Sequence, residues 1–314
     1  MSMSKPFSFE PSTWVPFGDK EVCDRVRRIP RSQLDKHPNP DFRIKIISDA
    51  MAGWIGNFDR FRRIQEAGHA GRPIVLILGN PNPAYRQLAW SLNACRVDCR
   101  KLHVFIMDEW ADQDGTIAPE SYPQGFMHAF KKYFYSELDP DIRPPESQMV
   151  GPTNANINRY QQMIADLGGC DVCYSGPGWN GHIAFIEPDA PEFAAASIDE
   201  WKQMGARVVS LSPFTIAQNS LHSSFGYSGD MANVPPKAAT IGPLEVLSAK
   251  HRMEFHSLAT QGTRVSWQRF ISRLILHGPV TPRVPSSILQ TVRTDVYVSE
   301  GIARDIEPVW YEGY

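Results

Sequence analysis

Apolar residues fall along this chain in two alternating spacings. Pro73-Ile74-Val75-Leu76-Ile77-Leu78, Leu102-His103-Val104-Phe105-Ile106-Met107 and Asp171-Val172-Cys173-Tyr174 are short, nearly continuous apolar runs, the pattern of parallel strands covered on both faces. Phe42-Arg43-Ile44-Lys45-Ile46-Ile47 alternates in its first half and reads as a first strand, with later strands at 207–211, 252–258 and 295–298. Between these runs the apolar positions take helical spacing. Met51, Trp54, Ile55, Phe58, Phe61 and Ile64 predict a helix from Asp49 to about Ala67, ended by Gly68 and Gly71. Further helices are predicted over 84–94, 121–138, 157–167, 243–249 and 263–276. Strand and helix alternate throughout. That order predicts an α/β fold: a mostly parallel, Rossmann-like sheet with helices on both faces and right-handed crossovers.

Two stretches break the alternation. Residues 1–40 carry Pro6, Pro11, Pro16, Pro30, Pro38 and Pro40 and read as an irregular arm. Residues 41–314 then read as a single α/β domain. Within it, residues 213–237 are rich in Ser, Asn and Gly and read as a mobile lid.

Composition narrows the function classes. The 32 basic and 34 acidic residues give a formal charge of −2. No basic patch interleaved with aromatics is evident, so neither a nucleic acid nor an anionic membrane is an expected partner. No apolar run approaches the roughly 20 residues needed to span a bilayer. The start, Met1 to Pro6, lacks the apolar centre of a secretion signal. The five cysteines are few and odd in number. Cys170 and Cys173 have Cys-x-x-Cys spacing with no second pair to complete a zinc site, and Cys95 and Cys99 have no histidine pair near them. Buried free thiols in a reducing, cytoplasmic setting are the expectation.

The richest chemistry follows the third apolar run, in Ser175-Gly176-Pro177-Gly178-Trp179-Asn180-Gly181-His182-Ile183-Ala184-Phe185-Ile186-Glu187-Pro188. Three glycines in six positions let the backbone turn sharply and approach a ligand. His182 and Glu187 then stand five residues apart just past the turn. Loops at the carboxyl ends of parallel strands are where open α/β sheets bind ligands. Gly79-Asn80-Pro81-Asn82-Pro83 and Asp108-Glu109 end two more apolar runs, so all three loops predict one pocket. Asp108 is the candidate base: a carboxylate withdrawn from water has its pKa raised toward the working pH. His182 is the candidate proton carrier, with Glu187 as its orienting acid.

These residues resemble the glucosamine-6-phosphate deaminase family. Met107-Asp108-Glu109-Trp110 is similar to that family's Met-Asp-Glu-Tyr, and Glu120-Ser121-Tyr122 with Phe126-Met127 to its Glu-Ser-Tyr-x-x-Phe-Met. Gly181-His182-Ile183-Ala184-Phe185-x-Glu187-Pro188 resembles its Gly-His-Ile-Ala-Phe-Asn-Glu-Pro. Thr240-Ile241-Gly242 and Pro285–Gln290 match later segments. The order and spacing agree from about residue 42 to 300. The resemblance implies a three-layer α/β sandwich and aldose–ketose isomerisation of an amino sugar with loss of ammonia. It implies that Asp108 moves a proton between C2 and C1 through an enol, that His182 opens the pyranose ring, and that Glu187 orients His182. No metal or organic cofactor is required by this chemistry. The expected partner is a small sugar or sugar phosphate, and the arm could pack against a neighbour in a homo-oligomer. Related lactonases usually carry Gly-His-Thr and lack the Glu-Pro ending.

The departures concern the substrate. Asn180 stands where the family has an aspartate, so it can hydrogen-bond a hydroxyl but cannot ionise. The family's phosphate loop, Thr-Gly-Gly-Thr-Pro, is Gly79-Asn80-Pro81-Asn82-Pro83 here, and its two prolines remove two N–H donors. The family's Asn-Ser-Arg reads Asn219-Ser220-Leu221. Arg264 is a candidate replacement for the lost phosphate-pairing cation, with His222 a weaker one. Gly79, Asn80, Asn82, Glu109, Gly176, Gly178, Trp179 and Arg264 are the candidate substrate contacts. Trp179 and Trp110 are each open to two readings, a platform for a sugar ring or a core filler. Two other functions stay open: hydrolysis of a sugar lactone, and sugar binding without catalysis. The proline-dense start cannot supply the helix-turn-helix of a sugar-sensing regulator.

Overall fold

The computed structural model describes residues 7–257 and 266–308. In chain order the elements are α1 (Lys20–Arg27), β1 (Phe42–Ile47), α2 (Asp49–His69), β2 (Ile74–Leu78), α3 (Tyr85–Ala94), β3 (Leu102–Ile106), β4 (Asp108–Ala111) and α4 (Phe126–Tyr133). There follow β5 (Met149–Val150), α5 (Tyr160–Asp166), β6 (Val172–Ser175), α6 (Ile198–Trp201), β7 (Arg207–Ser210) and α7 (Pro213–Ser220). The chain closes with β8 (Lys237–Thr240), α8 (Pro243–Ser248), β9 (His251–His256), α9 (Gln268–His277), β10 (Thr294–Ser299) and α10 (Glu300–Ala303).

Seven strands form one sheet in the order β1-β10-β9-β6-β2-β3-β5, and every neighbouring pair is parallel. Strand β2 is buried at all five positions, as its unbroken apolar run requires. On β9, His256 reaches Ser272 of α9, while Phe255 lies against Gly56 of α2. Helices α2 and α9 therefore cover opposite faces, which makes the three layers. After β2 the chain builds outward through β3 and β5, then returns to the other side of β2 with β6, β9 and β10. The reversal falls between β2 and β6, the position where such sheets open a crevice at their carboxyl edge.

Five features depart from the sequence reading. The chain leaves the main sheet at Met107 and enters a second, antiparallel sheet, β4-β8-β7, in which Asp108 faces Thr240. The N-terminal 40 residues are not wholly irregular. Asp19 caps α1 through the amide of Val22, and Val26 enters an apolar cluster with Ile271, Leu274 and Ile275 of α9. Local capping and one buried apolar face outweigh the proline density on either side. The presumed lid opens with α7, whose residues Thr215, Gln218, Asn219 and Ser220 are buried. The helix predicted from Ser121 begins only at Phe126, because Pro123 and Gly125 hold the preceding residues in turns. On α2, Met51, Trp54 and Phe58 are exposed, and Gly56, Asn57, Ile64 and Ala67 make the buried face.

Candidate functional site

The loop after β6 is shaped by two backbone conformations that the sequence only hints at. Gly181 (φ 87°) and Ala184 (φ 53°) both take the left-handed region, and the amide of Ile186 closes the turn on Ile183 O at 3.0 Å. The turn folds the chain back so that His182 and Glu187 face one another. Ala184 bears a Cβ in that region, a local strain of the kind found at functional sites. Gly178 has a different reason to be glycine: a Cβ there would lie 1.9 Å from His182 Nε2. The imidazole rests directly on the Gly178 backbone. The loop is braced from behind by Ser286, whose amide donates to Gly181 O (2.9 Å) and whose hydroxyl donates to His182 O (3.0 Å).

His182 and Glu187 are both buried, and the closest approach of His182 Nδ1 to Glu187 Oε2 is 3.9 Å. That is too long for a hydrogen bond. The link runs through α7 instead. Thr215 Oγ1 sits 3.0 Å from His182 Nδ1, and Asn180 Nδ2 donates to Glu187 Oε2 at 2.7 Å and to Ser212 Oγ at 3.1 Å. Asn180 Oδ1 in turn accepts from the His182 amide at 3.1 Å. An aspartate at position 180 would oppose Glu187, whereas the asparagine amide completes the pair. Burial lowers the His182 pKa, with Glu187 pulling it upward, so the ring is neutral at pH 7. Sequence reasoning missed Thr215, Ser212 and Gln218, because α7 read as mobile. The Ser-Pro pair at 212–213, a helix start with Ser212 accepting from the Thr215 amide, was the available signal.

Asp108 is buried, and its Oδ1 has no hydrogen-bond partner. Burial, reinforced by the neighbouring Glu109 charge, pushes its pKa up to about 8. Glu109 points elsewhere. Its carboxylate accepts from the amides of Trp110, Phe126 and Met127 at 2.8–3.0 Å, capping the start of α4. The expectation that Glu109 meets substrate gives way to this cap, since its oxygens are already engaged. Trp110 is likewise a core residue: it stacks on Phe126 at 5.1 Å and packs against Phe185 and Phe225. Through Phe185, whose amide donates to Thr240 Oγ1, the β4 strand and the His182 loop are joined.

Gly79 sits beside Met107 Sδ and Tyr174 O, so the β2, β3 and β6 loop ends do converge. Asn80 takes φ 50°. Asn82 is turned onto its own loop, accepting from the Ala84 amide and donating to Asn80 O. Gly176 lies against Phe255 O, where a Cβ would approach to 2.8 Å. Trp179 is partly exposed, with its amide held by Gln218 Oε1 at 2.7 Å. Arg264 lies outside the described residues. A cation the sequence reading passed over is Arg60. Its guanidinium lies over the rings of Tyr174 (4.4 Å) and Tyr85 (5.2 Å), and its Nε has no partner. Tyr85 also donates to Gly79 O, which places Arg60 under the Gly79–Pro83 loop.

Among the described residues, no group of three His, Cys, Asp or Glu side chains is placed to hold a metal ion, and no helix is long and apolar enough to cross a membrane. Cys99, Cys170 and Cys173 are buried free thiols, but Cys95 is exposed and Cys23 half-buried, so burial does not extend to all five.

A parallel α/β sandwich with a carboxylate, a histidine and glycine loops converging on its carboxyl edge defines a class that includes sugar isomerases and sugar lactonases. No protein-family model matches the chain. Among curated proteins it is 30% identical over 217 residues to a glucosamine-6-phosphate deaminase from Lachnoclostridium phytofermentans, covering 67% of this chain and 78% of the relative. It is 26% identical over 231 residues to glucosamine-6-phosphate deaminase 2 of Giardia intestinalis, covering 72% of this chain and 77% of the relative. Among solved structures, a monomeric glucosamine-6-phosphate deaminase superposes with TM-score 0.65 at 20% identity, over 83% of this chain and 98% of the other. The 6-phosphogluconolactonase of Trypanosoma cruzi follows at TM-score 0.59 and 16% identity, over 85% and 98%. The chain belongs to the glucosamine-6-phosphate deaminase family, a family of enzymes, and it shares its fold with the solved deaminase and lactonase.

Proposed function

We propose that this enzyme isomerises an amino sugar from aldose to ketose with release of ammonia. In this reading His182, whose Nε2 is left facing away from Thr215, moves a proton between the ring oxygen and its hydroxyl and so opens the pyranose. Asp108 then takes the proton from C2 and returns it to C1. The C2 imine so formed adds water and expels ammonia. The observation that carries the reading is Asp108 itself: a buried carboxylate with a free oxygen and a pKa raised to about 8. Buried Glu254 has the same free oxygen and raised pKa. What sets Asp108 apart is its place just past the end of β3, joined through Thr240 and Phe185 to the His182 loop. A carbon-acid base also needs an open lone pair and a basicity near the working pH. Asn180 and Glu187 act on His182 through Thr215.

We further propose that the substrate differs from a 6-phosphate sugar. The Gly79–Pro83 loop has two prolines and spends the Asn82 side chain on itself, and Leu221 stands exposed in the lid. The test is ammonia release and ketose formation across amino sugars and plain aldoses, each with and without a 6-phosphate, alongside a sugar lactone. Ammonia from amino sugars, abolished by Asp108→Asn, is the expected outcome. Ordinary turnover of glucosamine 6-phosphate would overturn the altered-substrate part and direct attention to Arg60 and Arg264. Lactone hydrolysis without ammonia would replace the reading with hydrolysis by His182 as base. The kcat/KM of the free enzyme is expected to rise with pH through about 8, because only ionised Asp108 accepts the C2 proton.

A further inference from the structure

Four aromatic side chains run in a line along the rim of the site. Trp14, from the segment before α1, packs on Phe214 of α7 at 5.7 Å between ring centroids. Phe214 meets Trp179 at 6.5 Å, and Trp179 meets Trp267 at 6.4 Å. Core aromatics are buried, yet Trp14 is 66% and Trp179 41% exposed. Holding large rings in order while leaving them wet has no folding benefit that would explain it.

The line is continuous with the candidate site. Trp179 stands between Gly178, which carries the His182 ring, and Asn180, which holds Glu187. Helix α7 serves both: Thr215 holds His182, Gln218 holds the Trp179 amide, and Phe214 carries the rim outward to Trp14. A macromolecular partner seated here would roof the His182 loop and block its own substrate. A substrate extension would use the same surface only while bound. The rings also suit a sugar better than a purely apolar group, since indoles present a flat apolar face together with a polar N–H edge.

We propose that this rim is a second saccharide subsite. A sugar unit attached to the reacting one, on the side away from C1, stacks across Trp179, Phe214 and Trp14. The proposal rests on the amino-sugar reading above and names its substrate class as a di- or oligosaccharide. It also gives the altered phosphate loop a reason: the extension supplies the binding that a phosphate would otherwise supply, and remote contacts of this kind can be turned into rate.

The experiment is equilibrium binding to the full chain carrying Asp108→Asn, which arrests turnover, with glucosamine, its 1,4-linked disaccharide and 4-O-benzyl glucosamine as probes. The disaccharide is expected to bind at least tenfold more tightly than glucosamine. Trp14→Ala is expected to weaken the disaccharide about 2–10-fold, the span of a single aromatic contact, and to leave glucosamine unchanged. Equal affinity for mono- and disaccharide overturns the proposal, as does a Trp14→Ala loss shared by both. A gain for 4-O-benzyl glucosamine as large as the disaccharide gain overturns the saccharide assignment. A dimer in sedimentation that Trp14→Ala dissolves assigns the rim to a second copy and also overturns it. Failure of the amino-sugar reading is seen separately, as absence of ammonia from every sugar in the turnover panel with the disaccharide added to it.

Discussion

Two buried acid–histidine pairs in this molecule have the same separation and opposite surroundings. In the loop after β6, Glu187 Oε2 lies 3.9 Å from His182 Nδ1. On β9, Glu254 Oε1 lies 3.9 Å from His256 Nε2. Around that first pair stand the Asn180 side-chain amide and the Ser212 backbone amide on Glu187, and the Thr215 hydroxyl on His182. Around the second pair stand one serine on each partner, Ser175 on Glu254 and Ser272 on His256, and the facing atoms Glu254 Oε1 and His256 Nε2 have no partner. Burial pushes Glu254 up to about 8 and His256 down to about 3. The second pair is therefore a neutral acid beside a neutral ring. Donor supply, more than residue identity or separation, separates a pair equipped for proton traffic from one that sits inside a sheet.

Substitutions can break or sharpen this contrast. The largest expected effect is on His182. His182→Gln should lower turnover of cyclic substrate by ~10²–10⁴-fold and spare the open-chain form, while His256→Gln should stay within tenfold on both. Equal losses in stopped assays of the two variants would erase the contrast. A smaller effect is expected at Thr215. Thr215→Val should lower kcat by about tenfold with little change in KM, and Thr215→Ser should restore it. Failure of the serine to rescue would show that packing, and not the hydroxyl, is what the position supplies.

The smallest effect is read in stability. Folded Glu254 keeps its proton up to about pH 8, whereas the unfolded side chain loses it near pH 4.5. Between those values the folded state binds the extra proton, so its contribution is full below about 4.5 and is lost as pH rises toward 8. Glu254→Gln should flatten that fall by at most ~1.4 kcal/mol per pH unit, seen in urea midpoints between pH 5.5 and 8. An unchanged slope would mean that Glu254 is already ionised when folded.

The central strands were legible because β2, β3 and β6 are continuous apolar runs, and only a strand covered on both faces has that composition. As candidates, Asp108 was legible because it follows β3 almost directly, and Asn180, His182 and Glu187 because one glycine-marked loop after β6 carries all three. What stayed hidden came from elsewhere in the chain. Thr215 and Gln218 reach the loop from a helix more than thirty residues on, and nothing local marks them. Glu254 and His256 share a face by alternating with Met253 and Phe255, and a period of two does not say whether that face is covered. In fact that face lies beneath α9, a tertiary fact that spacing alone does not carry. Strand β7 was read at 207–211, but the second sheet was missed because β4 and β8 are four residues each and only tertiary pairing between distant segments joins them.

The outermost strand of the main sheet has a consequence for how the protein is made. Among the described residues, strand β1 pairs only with β10, and about 250 residues of chain lie between them. As the polypeptide leaves the ribosome, β1 has no neighbour until β10 emerges. Closing so long a loop also slows folding. During that wait, an apolar strand with open backbone groups invites mispairing. Arg43 and Lys45 alternate with Phe42 and Ile44 along β1, and both charges later meet Asp295 of β10. The two cations guard the strand against foreign partners during synthesis and then help recognise the correct one, so the last step of assembly is written into the first strand to appear.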